Sequence, residues 1–412
     1  MNILILTCNT GGGHNAVAAA LTEAFRRRGA DCTVLDGLSF ISQKASKLVS
    51  RWHTRMYRHH PHLYKAGYMT AEEEVGRTVP KHNPVERYLA RGARRLYHFL
   101  QTQRFDAVVC VHVIPALMMT MLRKNGGAPM PFCFVATDYT CSPSVGDCTP
   151  DICVIPHEEL AEEFVRCGMA AETLLPAGIP TRSVFNAPVD RAAARRALSL
   201  PEEGKHILLM SGSIGCGPMT ELARQLDEQL RSGDYATVLC GSNRQMLYAL
   251  QRRSLLRVQA VGFTSQVAQY MDSADLLVSK PGGISITEAA CKGVPMLLAD
   301  LVGGCETRNQ AFFAEHGWAA ACSNDTIADS ALSLLADDAR REAAKLTDCD
   351  LLILDDLGTE FRTSFSIAEG KLPPPYSVRY KRVPTALAAG TLLYISGKLY
   401  NRSLAFLGLC RV

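Results

Sequence analysis

The chain is poor in the patterns that assign a function quickly. Its 412 residues include 15 cysteines, from Cys8 to Cys410, but no Cys-X-X-Cys pair. That spacing would be expected of a zinc ribbon or a dithiol redox centre. No Gly-X-X-X-X-Gly-Lys-Ser/Thr occurs, so a P-loop is excluded, and the glycines do not fall into Gly-X-Gly-X-X-Gly. No run reaches the roughly 20 apolar residues that a membrane-spanning helix needs. The best candidate, Ala386 to Ile395, is too short. A formal charge of +4 does not call for nucleic acid. No signal peptide is apparent, and with Cys110, Cys133, Cys153 and Cys240 in apolar strand-like runs, a reducing, cytoplasmic setting is expected.

What remains is a globular composition, 47% hydrophobic and 20% charged, long enough for two ordinary domains. Short apolar runs alternate with amphipathic stretches. Ile3–Leu6, Thr33–Leu35, Ala107–Val111, Phe132–Ala136 and Ile152–Ile155 read as strands. A second series starts at Ile207–Met210 and continues through Thr237–Cys240, Val258–Val261, Leu276–Val278 and Met296–Leu298. Strands separated by helices give parallel sheets. The expectation is therefore an α/β protein of two Rossmann-like, doubly wound domains facing a cleft. They occupy residues 1–180 and 205–343, with a proline-marked linker at 181–204 and an atypical tail at 344–412.

Three glycine loops follow strands. Gly11-Gly12-Gly13-His14 comes after the first strand and opens a helix. Glycine allows close backbone approach, and a helix start offers N–H groups and positive potential to an anion. A neutral imidazole there can take a proton from a hydroxyl. A structural turn carrying a surface histidine is the plain alternative. Lys280-Pro281-Gly282-Gly283-Ile284-Ser285 also follows a strand and suits a diphosphate, while Glu288, one turn on, can accept two ribose hydroxyls. Ser285 and Glu288 equally have capping-box spacing. The third loop is Ser211-Gly212-Ser213-Ile214-Gly215. Asp138, in Thr137-Asp138-Tyr139, ends a strand toward the cleft or caps a turn. Arg51 to Arg58, with Trp52, Met56 and Tyr57, either lies on an anionic lipid surface or is an ordinary amphipathic helix. The histidines of His59-His60-Pro61-His62 lack acidic or cysteine partners at metal-ligand spacing, so no metal site is expected.

Together these residues resemble the monogalactosyldiacylglycerol synthase and processive diacylglycerol glucosyltransferase family, a relative of the transferase that adds N-acetylglucosamine to lipid-linked peptidoglycan precursors. The likeness covers about residues 1 to 340. It is carried by Thr10–His14, His62-Leu63-Tyr64, Val135–Tyr139, Ala177–Pro180, Leu209–Gly212, Val261-Gly262-Phe263, Lys280–Gly283 and Glu288-Ala289. It implies a GT-B fold and an inverting, metal-independent glycosyltransferase with no cofactor beyond a UDP-sugar donor. Gly262, Phe263 and Thr264 would lie by the uracil. Gly212, Ser213, Gly282, Gly283 and Ser285 would surround the diphosphate, Pro281 would be a further substrate-binding residue, and Glu288 would hold the ribose. Gly11, Gly12 and Gly13 would shape the acceptor side. His14 would be the base, with Asp138 beside it. The lipid acceptor, diacylglycerol or a glycosyldiacylglycerol, would be met at the anionic inner face of the cell membrane by a peripheral protein.

Two departures stand out. Many relatives carry Gly-Gln-Glu where this chain has Gly304-Cys305-Glu306, which leaves Glu306 and Asn309 as candidates for the sugar. The tail segment Asp350–Phe361 resembles the Walker B region of helicase-loader ATPases, but no P-loop precedes it. It reads as a foreign or mis-joined segment, or as chance similarity. The alternatives are transfer of N-acetylglucosamine to a polyprenyl-linked precursor, and a non-catalytic protein that binds nucleotide or lipid.

Overall fold

In a computed structural model, residues 1–9, 11–59, 84–127, 130–187 and 189–344 are described. They form two parallel six-stranded sheets. The first contains β1 (Asn2–Thr7), β2 (Asp31–Asp36), β3 (Ala107–Cys110), β4 (Phe132–Val135), β5 (Ile152–Ile155) and β6 (Leu174–Pro176), in the order β2-β1-β3-β4-β5-β6. The second contains β7 (His206–Met210), β8 (Tyr235–Leu239), β9 (Val258–Val261), β10 (Leu276–Ser279), β11 (Met296–Ala299) and β12 (Ala320–Cys322), in the order β12-β11-β10-β7-β8-β9. The inner strands are continuous apolar runs because helices cover both faces of each sheet. β6 and β12 are the two strands not read from the sequence. Each is three residues long and lies at a sheet edge, where no alternation or long apolar run marks it.

The strand order reverses between β1 and β3 in one sheet and between β7 and β10 in the other. Loops on either side of such a reversal leave in opposite directions and open a crevice at the strand ends. The glycine loops after β1, β7 and β10 stand at these two crevices.

The linker is not a plain tether. Its helix Arg191–Ala197 is anchored to the second sheet through Asp275. Asp275 accepts from Arg195 Nη2 at 2.7 Å, Arg191 Nη1 at 2.5 Å and the His206 amide at 2.7 Å. Arg195 is itself buried and also donates to the carbonyls of Ser273, Glu202 and Gly204. Every partner removed from such a network leaves a buried charge uncompensated.

The two halves share a core. Tyr139, 1% exposed, leaves the first sheet and enters the second half. Its ring stacks on Phe312 at 5.2 Å and meets Phe313 edge-on at 4.9 Å, while its hydroxyl bonds Thr287 Oγ1 at 2.9 Å. The helix Gly283–Lys292 abuts the first half just as tightly: a Cβ on Gly283 would stand 2.1 Å from the Thr137 carbonyl oxygen. Glycine is required there by proximity, since one backbone meets another and neither can step aside. Gly283→Ala is expected to part the halves, with a larger radius of gyration in solution scattering. An unchanged profile would show that this contact is dispensable.

Candidate active site

The loops after β1, β10 and β11 each deliver a helix N-terminus to the space between the sheets. The helix Gly12–Arg27 follows Gly11, Gly283–Lys292 follows Gly282, and Cys305–Glu315 follows Gly304. None of the three has a side-chain cap among the described residues. The capping box open to Ser285 and Glu288 is not formed, because the helix begins at Gly283, ahead of Ser285. Uncapped N–H groups and the positive ends of three helices converge on the cleft. After β7 the chain turns through Gly212 (φ +73°) and Gly215 (φ +66°), in the left-handed region that glycine adopts without strain.

These loops enclose a cavity of about 510 Å³. From the first half, Gly11, Gly12, Gly13, His14 and Asp138 line it. From the second, Gly212, Ser213, Gly262, Phe263, Thr264, Gly282, Gly283, Ser285, Glu288 and Glu306 do. The two loops nearly touch, since a Cβ on Gly12 would lie 2.1 Å from Ser213 Oγ. Phe263 stands 77% exposed at the mouth. The lining also carries apolar side chains, Phe134, Val145 and Phe185, together with Val111, whose main chain bonds His14.

Burial lowers the pKa of His14, against the pull of the Asp138 carboxylate and a hydrogen bond to the Val111 main chain, so the ring is held neutral. Its Nδ1 is 3.4 Å from Thr137 Oγ1, and the His112 ring packs edge-on at 4.7 Å. Burial also pushes Glu288 up to about 8, with Arg182 acting in the opposite sense. Lys280 and Glu306 form a buried ion pair. Burial opposes charge on Lys280, but the Glu306 carboxylate outweighs it and keeps the ammonium protonated. The Lys280 chain runs beneath both second-half loops: a Cβ on Gly212 would meet its Cε at 2.9 Å, and one on Gly282 its Nζ at 3.2 Å. The other oxygen of Glu306, Oε2, is buried without a hydrogen-bond partner among the described residues.

Pro281 and Asn309 stand behind the cavity wall. Asn309, fully buried, accepts from the Tyr139 amide at 2.6 Å and donates to both Asp138 Oδ1 and the Pro281 carbonyl at 2.9 Å. Its amide is therefore committed to the junction, and its effect on the cavity passes through Asp138 and the Pro281 loop. His62-Leu63-Tyr64, the histidines at 60 and 62, and the tail from 345 lie outside the described residues. Arg182, Lys280 and Cys305 also line the cavity. Lys280 begins the loop motif itself. Arg182 follows Pro180 in a segment read as linker, so no local pattern pointed to it.

Two parallel sheets facing across a glycine-lined cleft define the GT-B fold, and the family models below place the chain in the glycosyltransferase class. Solved structures share the fold: MurG of Acinetobacter baumannii, with a TM-score of 0.51 at 15% identity over 84% of this chain and 94% of that one, and S. aureus MnaA with UDP, with a TM-score of 0.59 at 12% identity over 92% and 100%. Residues 14–181 match the model for monogalactosyldiacylglycerol (MGDG) synthase, and residues 200–347 match glycosyl transferases group 1. The chain is 25% identical to a processive diacylglycerol beta-glucosyltransferase of Staphylococcus saprophyticus over 77% of its length and 80% of that protein. It is 27% identical to one from Bacillus pumilus over 83% and 89%. A probable chloroplastic monogalactosyldiacylglycerol synthase of Glycine max is 28% identical over 76% of this chain and 61% of that one. These similarities extend over most of the chain and agree with the resemblance carried by its motifs to monogalactosyldiacylglycerol synthases and processive diacylglycerol glucosyltransferases.

Asn309→Ala strands a buried amide and a carboxylate oxygen at the junction. Stability is expected to fall by ~1–3 kcal/mol, read as a lower denaturant midpoint. An unchanged midpoint would show that water or a neighbour replaces the side chain.

Proposed function

We propose that the protein transfers a hexose from a UDP-sugar to diacylglycerol or a glycosyldiacylglycerol, with inversion at the sugar. The observation that carries this reading is the opposition across one cavity of a neutral His14 and a set of uncapped helix ends backed by Lys280. The resemblance in sequence to diacylglycerol glycosyltransferases supports the acceptor, and the apolar side chains in the cavity lining suit a lipid.

In this reading His14 takes the proton from the acceptor hydroxyl. The oxygen bonds the anomeric carbon from the face opposite the nucleotide. The carbon–oxygen bond to the diphosphate breaks, and its electron pair stays on the departing phosphate oxygen. The helix starts at Gly282 and Gly304 and the Lys280 ammonium favour that developing charge without reorganising. Asp138 stabilises the imidazolium as it forms. Glu288 takes the ribose hydroxyls, Phe263 and its neighbours the uracil, and the partnerless Glu306 Oε2 a sugar hydroxyl.

The helix Gln43–His59 would meet the membrane. Lys44, Lys47, Arg51 and Arg55 lie exposed along it with Leu48 and Trp52, which are 65% and 59% exposed. Basic residues flanking apolar ones suit an anionic lipid surface. Arg58, near its end, donates to the Ile214 carbonyl at 2.5 Å and to Ser242 at 3.1 Å, joining this helix to the donor half. No helix among the described residues is long and apolar enough to cross a membrane.

The direct test is incubation with membrane lipids and a panel of radiolabelled UDP-sugars, followed by lipid extraction. Labelled glycosyldiacylglycerol is expected, and a labelled polyprenyl product or no labelled lipid would overturn the reading. His14→Ala should lower kcat by ~10²–10⁴-fold and leave the Kd for UDP unchanged by calorimetry. Full activity in that variant would remove His14 as the base. Glu288 gives a pH signature. Ribose hydroxyls donate to its ionised form, so below about pH 8 binding must release a proton. UDP affinity is therefore expected to rise from pH 7 to 9 in the wild type and stay flat in Glu288→Gln. Equal slopes would move the ribose elsewhere.

A further inference from the structure

Outside the cleft, the two halves also meet at a cluster that the proposed reaction does not use. His157 follows β5, and Glu159 lies in the short turn Glu158–Leu160 of the first half. His316 caps the C-terminus of the helix Cys305–Glu315 in the second half. One ligand atom from each lies within 4.8 Å of the others. None of the three lines the cleft cavity.

The hydrogen bonding makes this cluster more than a coincidence of polar groups. His316 Nδ1 is 2.7 Å from the Phe312 carbonyl, a bond that only a protonated Nδ1 can make. In the neutral ring that leaves the lone pair on Nε2, which lies 3.0 Å from Glu159 Oε2. A lone pair and a carboxylate oxygen at that distance repel unless positive charge stands between them. Either a second proton or a metal ion can supply it. A ring whose outer N–H is held by a main-chain carbonyl is the usual orientation of a metal-ligating histidine. His157 Nδ1 carries a lone pair, which accepts a long bond, 3.3 Å, from the Glu159 amide that a coordinating ion would replace. Phe312 and Trp318 wall the site, with the Trp318 ring 4.7 Å from His316 and 5.8 Å from His157.

We propose that His157, Glu159 and His316 form a site for a divalent cation of the zinc class that bridges the two halves of the protein. Two imidazoles and one carboxylate are the donor set of a three-ligand zinc centre with an open fourth position. Tetrahedral zinc at about 2.0–2.2 Å from each ligand holds the ligand atoms roughly 3.4 Å apart, so a pair at the 4.8 Å limit must draw in by roughly 1.4 Å. The Glu159 side chain, 60% exposed, can supply part of that movement. Because the ligands come from both halves, the bound ion ties them together.

The chain carries a reporter for this site. It has two tryptophans, Trp52 and Trp318, and only Trp318 adjoins the cluster. In full-length Trp52→Phe protein, Co²⁺ is expected to quench the Trp318 emission with one-to-one stoichiometry, and Zn²⁺ to compete for the same site and raise the unfolding temperature. His316→Ala should weaken both effects at least tenfold. Glu159→Gln, a change at an exposed side chain that leaves packing intact, should weaken them as well. Absence of quenching would overturn the proposal. So would equal quenching in both variants, which would assign the ion to thiols elsewhere. A His316–Glu159 pair that stabilises the protein only at acid pH, with no response to Co²⁺ or Zn²⁺, would make the bridging charge a proton. None of these readouts depends on sugar transfer.

Discussion

The arrangement of the cleft depends on how Tyr139 and Asn309 join the two halves. Tyr139 carries the end of a first-half strand into the aromatic core of the second. Asn309, fully buried, then bonds the Tyr139 main chain, the Asp138 carboxylate and the Pro281 carbonyl with one amide. One side chain thus sets a carboxylate beside His14 and also holds the loop that would face the diphosphate. A buried amide with all three contacts made is stable only in one relative placement of the halves, because any other strands polar atoms away from water. Gly283 and Gly12 allow that placement by leaving room where backbone and Ser213 come close.

Given that closure, burial sets the protonation states in the cleft. The same desolvation disfavours charge on both His14 and Glu288 but leaves them poised differently, a neutral base on one side and a neutral acid on the other. Lys280 keeps its charge because Glu306 is buried against it. Positive potential in the second half therefore comes from groups that are in place before any ligand arrives, which is the arrangement that the proposed departure of a phosphate would need.

Much of this was legible in the chain. Alternating apolar runs announced two parallel sheets, and glycine loops after particular strands marked where they open. Other features were not legible, for identifiable reasons. β6 and β12 are three-residue edge strands with no pattern of their own. Ser285 and Glu288 had the spacing of a capping box, and only the helix start at Gly283 decided against it. Asn309 read as a sugar-facing residue, yet its helix turns it to the junction. Arg182 lies in a segment without a motif and reaches the cavity by the path of the chain.

By itself the sequence determined the architecture, the strand ends that carry the glycines, and the residue types available there. Those follow from local rules: the period of apolar residues, and the backbone freedom of glycine. Only the tertiary structure decided which of these groups share a cavity, which are consumed in holding the halves together, and which are buried deeply enough to change their charge. Pairing distances and desolvation depend on residues from 26 positions apart, as for Lys280 and Glu306, to 170, as for Tyr139 and Asn309, and no local pattern contains both partners.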